Sequence, residues 1–147
     1  MNIETKFLGE VQITEQQIIQ FESGIPGFED AKQFVLLPID ADLPIASFQC
    51  VTNPQIGFIV AYPFTFKMDY AFDLSDDDKE ELQLEKEEDA LVYSIMTLKE
   101  TFEQSTVNLL APIIINKEKN IGKQLILQDG DKYPLRFQIG KLEGSAK

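Results

Sequence analysis

The chain has 147 residues, 44% apolar and 26% charged, which is enough to bury the core of a single domain over residues 1–147. Its 25 Asp and Glu outweigh 13 Lys and Arg, and the net charge of −12 argues against direct contact with nucleic acid or anionic membranes. With no His and one Cys, the sequence excludes Ser-His-Asp and Cys-His catalytic pairs, Cys/His zinc sites and internal disulfides, so we expect no metal and no cofactor.

The N-terminal segment predicts a β-hairpin. Ile3, Thr5 and Phe7 share one side of an extended segment, and a turn at Gly9 leads to Val11 on the returning segment. The segment has no basic stretch followed by an apolar one, and no run in the chain approaches the ~18 apolar residues of a membrane-spanning helix. We therefore expect a cytosolic protein.

The sequence Gly24-Ile25-Pro26-Gly27-Phe28 follows a strand predicted over 18–21. Two glycines around a proline indicate a rigid turn in which positive φ is available. A phosphate-binding loop would need a following helix and usually a Lys. The residues alone leave open whether Ile25 and Phe28 plug the end of a barrel or face outward.

β-Branched and aromatic runs predict the central strands, several of which are apolar on both faces. The predicted strands span 33–39, 45–52, 57–62, 90–98 and 105–116. Asn116 closes the last of these strands, at a loop over 117–120.

Large side chains recur at every second position from Tyr62 to Phe72, which predicts a one-sided strand or an extended arm. Such residues most often belong to the core. The alternative is a partly open aromatic and Met face that receives an amphipathic helix, with Phe64 and Phe66 as contact residues.

The densest charge lies between Asp73 and Asp89, where ten Asp and Glu and two Lys contribute −8 of the net −12. Ser75 is a good N-cap, and acids in the first turn suit the helix dipole, so a short helix ending near Leu82 is predicted. The segment is either a solvated helix and loop or a docking surface for a basic partner. Calcium is a weaker alternative, because an EF-hand loop counted from Asp76 would place Glu81 where Gly is needed.

The C-terminal part predicts a second hairpin, with Leu125 and Leu127 on one segment, a loop over 128–132, and Leu135 and Phe137 on the other. Many short strands with closely spaced turns favour an all-β fold over βαβ units. The predicted fold is a small antiparallel β-barrel or closed sandwich with one short acidic helix.

Four segments together resemble the flagellar assembly factor family FliW. They read F-E-S-G-I-P-G-F-E (21–29), F-V-L-L-P (34–38), Y-P-F with D-Y (62–64 and 69–70) and N-L-L-A-P-I-I-I-N (108–116). Their order and spacing match that family from about residue 5 to residue 128, and the first and last segments are a specific pair.

The resemblance implies a non-enzymatic cytosolic adaptor with a β-barrel-like fold, monomeric when free, that acts in flagellum assembly and translation regulation. Such a protein binds newly made flagellin, as a chaperone does, and also the homodimer of CsrA, a small basic RNA-binding repressor of flagellin translation. Held by the adaptor, CsrA stays off the flagellin mRNA, and accumulating flagellin takes the adaptor away.

Motif positions and charge predict the partner-binding residues. They are Gly24, Ile25, Pro26, Gly27, Phe28, Phe64, Phe66, Asp76, Asp77, Asp78, Glu80, Glu81 and Asn116.

The alternative from another class is a small carboxylate-dependent hydrolase that works in the mouth of the barrel. It predicts a pocket with two Asp or Glu carboxyl groups ~5 to 9.5 Å apart, one of them with a raised pKa.

Overall fold

Short strands account for most of the regular structure in the computed structural model, which describes residues 1–39, 45–128 and 132–139. The strands are β1 (Asn2–Glu4), β2 (Glu10–Gln12), β3 (Ile19–Gln20), β4 (Gln33–Pro38), β5 (Ile45–Cys50), β6 (Gly57–Ala61), β7 (Ala90–Thr97), β8 (Thr106–Val107), β9 (Ile113–Asn116), β10 (Ile121–Gln124) and β11 (Phe137–Gln138). One α-helix, α1 (Asp76–Glu81), lies between β6 and β7, and short 3₁₀ turns occupy Glu15–Gln17, Pro63–Thr65, Glu87–Asp89 and Phe102–Gln104. No helix in these ranges has the length and apolar character needed to cross a bilayer.

The main sheet closes on itself. Its strands run in the order β11-β8-β7-β6-β5-β4-β3-β10-β9. Strand β9 also pairs with β7, which closes β3, β4, β5, β6, β7, β9 and β10 into a barrel, with β8 and β11 attached to β7 outside this ring. The predicted all-β barrel is therefore confirmed. One pairing departs from the antiparallel prediction, because β3 and β10 run parallel where Gln20 lies opposite Ile121.

The prediction of one continuous strand over 105–116 is wrong, because two separate strands, β8 and β9, lie in this range. β8 and β9 both pair with the same edge of β7, but a break separates them. Within the break, the Asn108 side-chain oxygen accepts hydrogen bonds from the backbone N–H groups of Leu110 and Ala111, each at 3.0 Å. This turn replaces ladder hydrogen bonds with local ones, which is why the strand pauses there.

The barrel interior is filled by apolar and aromatic side chains. Phe34 and Phe48 stack with ring centroids 4.3 Å apart, and Phe21 meets both rings edge-on. Strand alternation puts Val60 in this interior cluster and the flanking Ile59 on the outer face.

Three segments cover the outer face. The predicted N-terminal hairpin is confirmed as β1 paired with β2, and it packs Ile3 and Ile13 on Val35 and Leu37 of β4. Residues around α1 pack Leu82 on the outer face of β9. The aromatic segment covers the third area.

The aromatic segment over 62–72 is not the predicted one-sided strand. Pro63 opens a 3₁₀ turn, and its local hydrogen bonds include Phe66 N–H to the Pro63 carbonyl and Tyr70 N–H to the Lys67 carbonyl. A chain bonded to itself in turns offers no ladder to a neighbouring strand. The core assignment is correct for Phe66 and Tyr70, both of which are buried, while Met68 faces solvent.

The predicted C-terminal hairpin is wrong. β10 pairs with β9 through a turn over 117–120, and β11 pairs with β8. Residues 129–131 of the predicted loop lie outside the described residues. The alternation of Leu125, Leu127 and Phe137 indicates extended chain but does not select the partner strand.

Candidate binding surface

Helix α1 forms where the sequence predicts it. The Ser75 hydroxyl accepts a hydrogen bond from the Asp78 backbone N–H at 3.1 Å, and the helix ends at the C-cap Leu82. Asp76 and Asp77 share the first turn with Asp78, where the exposed N–H groups and the helix dipole favour negative charge. The cap and the charges together explain a helix of only six residues.

A lysine of β10 fixes α1 to the barrel. Lys123 Nζ lies 2.8 Å from Asp78 Oδ1 and 2.8 Å from Glu81 Oε1. The hydrogen bond from Lys123 lowers the pKa of the Asp78 carboxyl, and the bonds from Asp78 and Glu81 raise the pKa of Lys123. These two acids are therefore engaged in holding the helix in place.

Asn116 fixes the C-terminal end of the helix. Its side-chain NH₂ donates to the carbonyls of Leu82 at 2.9 Å and Gln83 at 3.0 Å. Its side-chain oxygen accepts from the N–H groups of Glu118 and Lys119. The residue is 2% exposed, so it supports the helix from beneath and does not itself present a surface to a partner.

The remaining predicted acids of α1 face solvent. Asp76, Asp77 and Glu80 are exposed, and among the described residues none of the three is part of an ion pair. We call these three residues the acidic face. Because Lys123 pairs with Asp78 and Glu81 and Asn116 bonds to the carbonyls that follow the helix, the negative charge sits at a defined position on the barrel wall.

The 24–28 turn buries one of its two large side chains and leaves the other exposed. Ile25 and Phe28 form a β-bridge, with the Phe28 N–H 2.6 Å from the Ile25 carbonyl oxygen. Ile25 enters the interior core, whereas Phe28 is 43% exposed and its ring lies 5.8 Å from that of Phe58. Pro26 and Gly27 are exposed at the tip of the turn. Of the two alternatives that the sequence leaves open, Ile25 therefore fits the buried one and Phe28 the outward-facing one.

Phe64 and Phe66, the predicted contact residues of the aromatic segment, also differ in burial. Phe66 is 2% exposed and belongs to the outer core, while Phe64 is half-buried. Phe64, Tyr70, Phe72 and Val92 line an apolar cleft of about 250 Å³. Among the described residues no Asp or Glu lines this cleft, and the described carboxyl groups with shifted pKa values, Asp69 and Asp78, both have lowered ones. A hydrolase with a paired-carboxylate site gains no support from these features.

The structure brings the beginning of the 24–28 turn close to the helix. Ser23 Oγ lies 3.4 Å from Glu81 Oε2, so the two predicted sites adjoin. Reasoning from sequence missed Lys123 and Phe58. Nothing local marks either residue, since a lone lysine on a strand and an aromatic in an apolar run are both ordinary.

A family model described as FliW protein matches residues 2–139. The chain belongs to the FliW family. The match is longer at both ends than the resemblance found from the motifs, which spans about residues 5–128. In particular, it includes residues 129–139, where no family motif was found.

Individual relatives support the assignment over almost the whole length. The flagellar assembly factor FliW of an Exiguobacterium species is 49% identical over 140 residues, covering 95% of each chain. That of Bacillus subtilis is 46% identical over 140 residues, covering 95% of this chain and 97% of the relative. A solved structure, the crystal structure of the flagellar assembly factor FliW, superposes with a TM-score of 0.88 at 40% identity, covering 95% of this chain and 96% of the other. Fold and family therefore agree, and these relatives are named as assembly factors.

Proposed function

We propose that this FliW family member is a cytoplasmic adaptor that binds flagellin and the CsrA homodimer and antagonises CsrA binding to flagellin mRNA. The observation that carries the proposal is the acidic face, which is fixed to the barrel and free of internal partners among the described residues. A surface of this kind suits a basic protein and repels RNA.

The acidic face acts through its field. With CsrA bound beside α1, phosphates that approach the RNA site of CsrA meet Asp76, Asp77 and Glu80 within a Debye length of ~8 Å. RNA binding weakens without the adaptor filling the RNA groove. Flagellin and CsrA exclude each other, so each weakens the binding of the other by the same factor.

The flagellin contact is assigned to the exposed apolar side chains beside the 24–28 turn. Phe28 packs on Phe58, and Phe58 lines a shallow groove together with Phe7 and Leu98. Phe7 and Leu98 are exposed, as Phe28 is. An amphipathic helix of flagellin would bury these side chains together.

An RNA gel shift tests the role of the acidic face. The triple variant Asp76→Asn, Asp77→Asn and Glu80→Gln keeps Asp78 and Glu81, and therefore keeps the attachment of α1. At saturating adaptor, we expect it to relieve CsrA–RNA binding several-fold less than the wild type, with the largest difference at low salt.

A matched control removes the same charge elsewhere. Glu4→Gln, Glu10→Gln and Glu15→Gln neutralise three exposed acids outside the α1 segment. We expect this control to relieve RNA binding as the wild type does. If the α1 variant also behaves like the wild type, the acidic face has no part in the mechanism; if neither CsrA nor flagellin co-purifies with the chain, the proposed function fails.

A further inference from the structure

The chain that continues β10 has one open backbone edge. The N–H groups of Leu125 and Leu127 donate to the carbonyls of Pro112 at 2.9 Å and Leu110 at 2.7 Å. Alternate residues of an extended chain point their N–H groups to opposite sides, so those of Gln124 and Ile126 point away from this partner. We call residues 124–127 the open edge.

Nothing in the described part of the chain pairs with this edge. The neighbour of β10 on that side is β3, and their pairing consists of Gln20 opposite Ile121. After Phe21 the chain turns, with the Gly24 N–H bonded to the Phe21 carbonyl at 2.9 Å, and residues 21–24 do not pair with β10. In the described residues the N–H groups of Gln124 and Ile126 have no hydrogen-bond partner.

The side chain on the open edge is also unusual. Ile126 is 68% exposed, more than any other described large hydrophobic side chain. Natural proteins usually protect a free strand edge with charges, a proline or a covering element, because an unprotected edge pairs with other chains. An unpaired edge that carries an exposed isoleucine has the features of a site for strand addition.

Charge selects the occupant. A cleft of about 460 Å³ lies along the open edge, and its other wall carries Asp73, Ser75 and Asp78 of the acidic segment. Lys123 also lines the cleft and pairs with Asp78, so Asp73 is the lining acid that has no ion pair among the described residues. A second copy of this chain would bring the same acids against these acids. An extended segment that carries Lys or Arg would instead meet opposite charge.

We infer that the open edge takes up an extended, basic peptide segment as an added β-strand, with Ile126 packing on its apolar side chains. The inference rests on the proposed function in one respect: it identifies the basic partner with CsrA. It adds the mode of attachment, in which backbone hydrogen bonds supply affinity and the acidic wall supplies specificity.

Residue-resolved amide exchange of the full chain, free and with CsrA, tests the inference. Gln124 and Ile126 should exchange fast in the free chain and become protected in the complex. Leu125 and Leu127, which are already bonded, should change little. CsrA binding without this protection overturns the inference and leaves the proposed function standing, whereas no CsrA binding overturns both.

Two substitutions at one exposed position separate backbone from side chain. Ile126→Pro removes the N–H and should weaken CsrA binding about tenfold, since the partner carbonyl at that point loses its donor. Ile126→Ala keeps the N–H and should weaken it less than about threefold. Equal binding by the proline variant and the wild type overturns the inference, and if the proline variant fails to fold, the exchange measurement decides. Protection by flagellin alone, or protection that grows with the concentration of the chain itself, also overturns it.

Discussion

Lys123 on β10 and Asp78 on α1 form an ion pair, 2.8 Å between Nζ and Oδ1, that joins the barrel wall to the acidic helix. Asp78 and Lys123 are mostly shielded, with side chains 22% and 25% exposed. Helix α1 is too short to be stable alone, so this contact and the burial of Leu82 decide where it lies.

Replacing Lys123 by Met should loosen this attachment. The variant loses two hydrogen-bonded ion pairs. Its free energy of unfolding should be about 1 kcal/mol lower than that of the wild type, and its melting temperature about 2–4 °C lower. Urea denaturation followed by circular dichroism measures the change. Lys117→Met is the control, because Lys117 is exposed and has no ion pair among the described residues, and it should change stability by less than about 0.5 kcal/mol. Equal effects of the two substitutions would show that Lys123 does not fix the helix.

The same ion pair predicts a pH dependence of stability. The pKa of Asp78 lies below its ordinary value of 3.8, so its stabilising contribution is complete above that value and is lost as the pH falls through the lowered pKa. The pKa of Lys123 lies above 10.5, so its contribution is complete below that value and is lost as the pH rises through the raised pKa. The stability advantage of the wild type over Asp78→Asn should therefore be constant from about pH 5 to 10 and disappear at both extremes. Urea titrations of both proteins across this range check it, and an advantage unchanged at about pH 2 would contradict it.

Asn116→Ala should destabilise the protein more than the loss of one polar side chain usually does. It leaves the carbonyls of Leu82 and Gln83 without their donor and the N–H groups of the 117–120 turn without their acceptor. We expect a loss of about 2–3 kcal/mol in unfolding free energy, measured by urea denaturation. Below its melting temperature the variant should still bind partners if Asn116 acts only through the fold. A stable variant that fails to bind would instead make Asn116 a contact residue.

Local patterns predicted the elements that local physics determines. Ser75 and the acids after it specify α1 through hydrogen bonds and charges within one turn, and the apolar runs specify β4 to β7 to within two residues. Long-range choices were not predictable in the same way. The parallel pairing of Gln20 with Ile121 and the break at Asn108 depend on how the barrel closes, which no window of the sequence contains.

In the candidate site, too, local sequence patterns predict some features and only the folded structure determines others. The sequence located the acidic segment and the 24–28 turn, because charge density and Gly-Pro spacing are visible in one dimension. Which side chains face outward was not visible. Ile25 and Phe28 are both large and apolar, and the turn, with positive φ values of 68° at Gly24 and 88° at Gly27, buries Ile25 and leaves Phe28 exposed.

Gly24→Ala and Gly27→Ala form a matched pair in this turn. Both residues have positive φ, so either alanine introduces backbone strain of about 1 kcal/mol. A Cβ at Gly24 would also lie 2.5 Å from the Glu29 carbonyl oxygen, whereas a Cβ at Gly27 meets no atom of the described residues within 4 Å. Gly24→Ala should therefore cost at least about 3 kcal/mol and Gly27→Ala about 1 kcal/mol in urea denaturation. Equal losses would mean that the close approach of residues 24 and 29 does not constrain the turn.

Phe66→Ala and Met68→Ala test whether the aromatic segment belongs to the core or offers a surface. Phe66 is 2% exposed and packs with Tyr70, Leu109 and Tyr133 in the outer core, while Met68 is 67% exposed. Removing the buried ring should cost about 3–5 kcal/mol in unfolding free energy, and removing the exposed thioether should cost less than about 0.5 kcal/mol. Urea denaturation measures both, and flagellin co-purification with the Met68 variant shows whether this exposed side chain takes part in binding. A mild effect of Phe66→Ala would mean that the segment lifts from the barrel easily, in which case the aromatic face is available to an amphipathic helix after all.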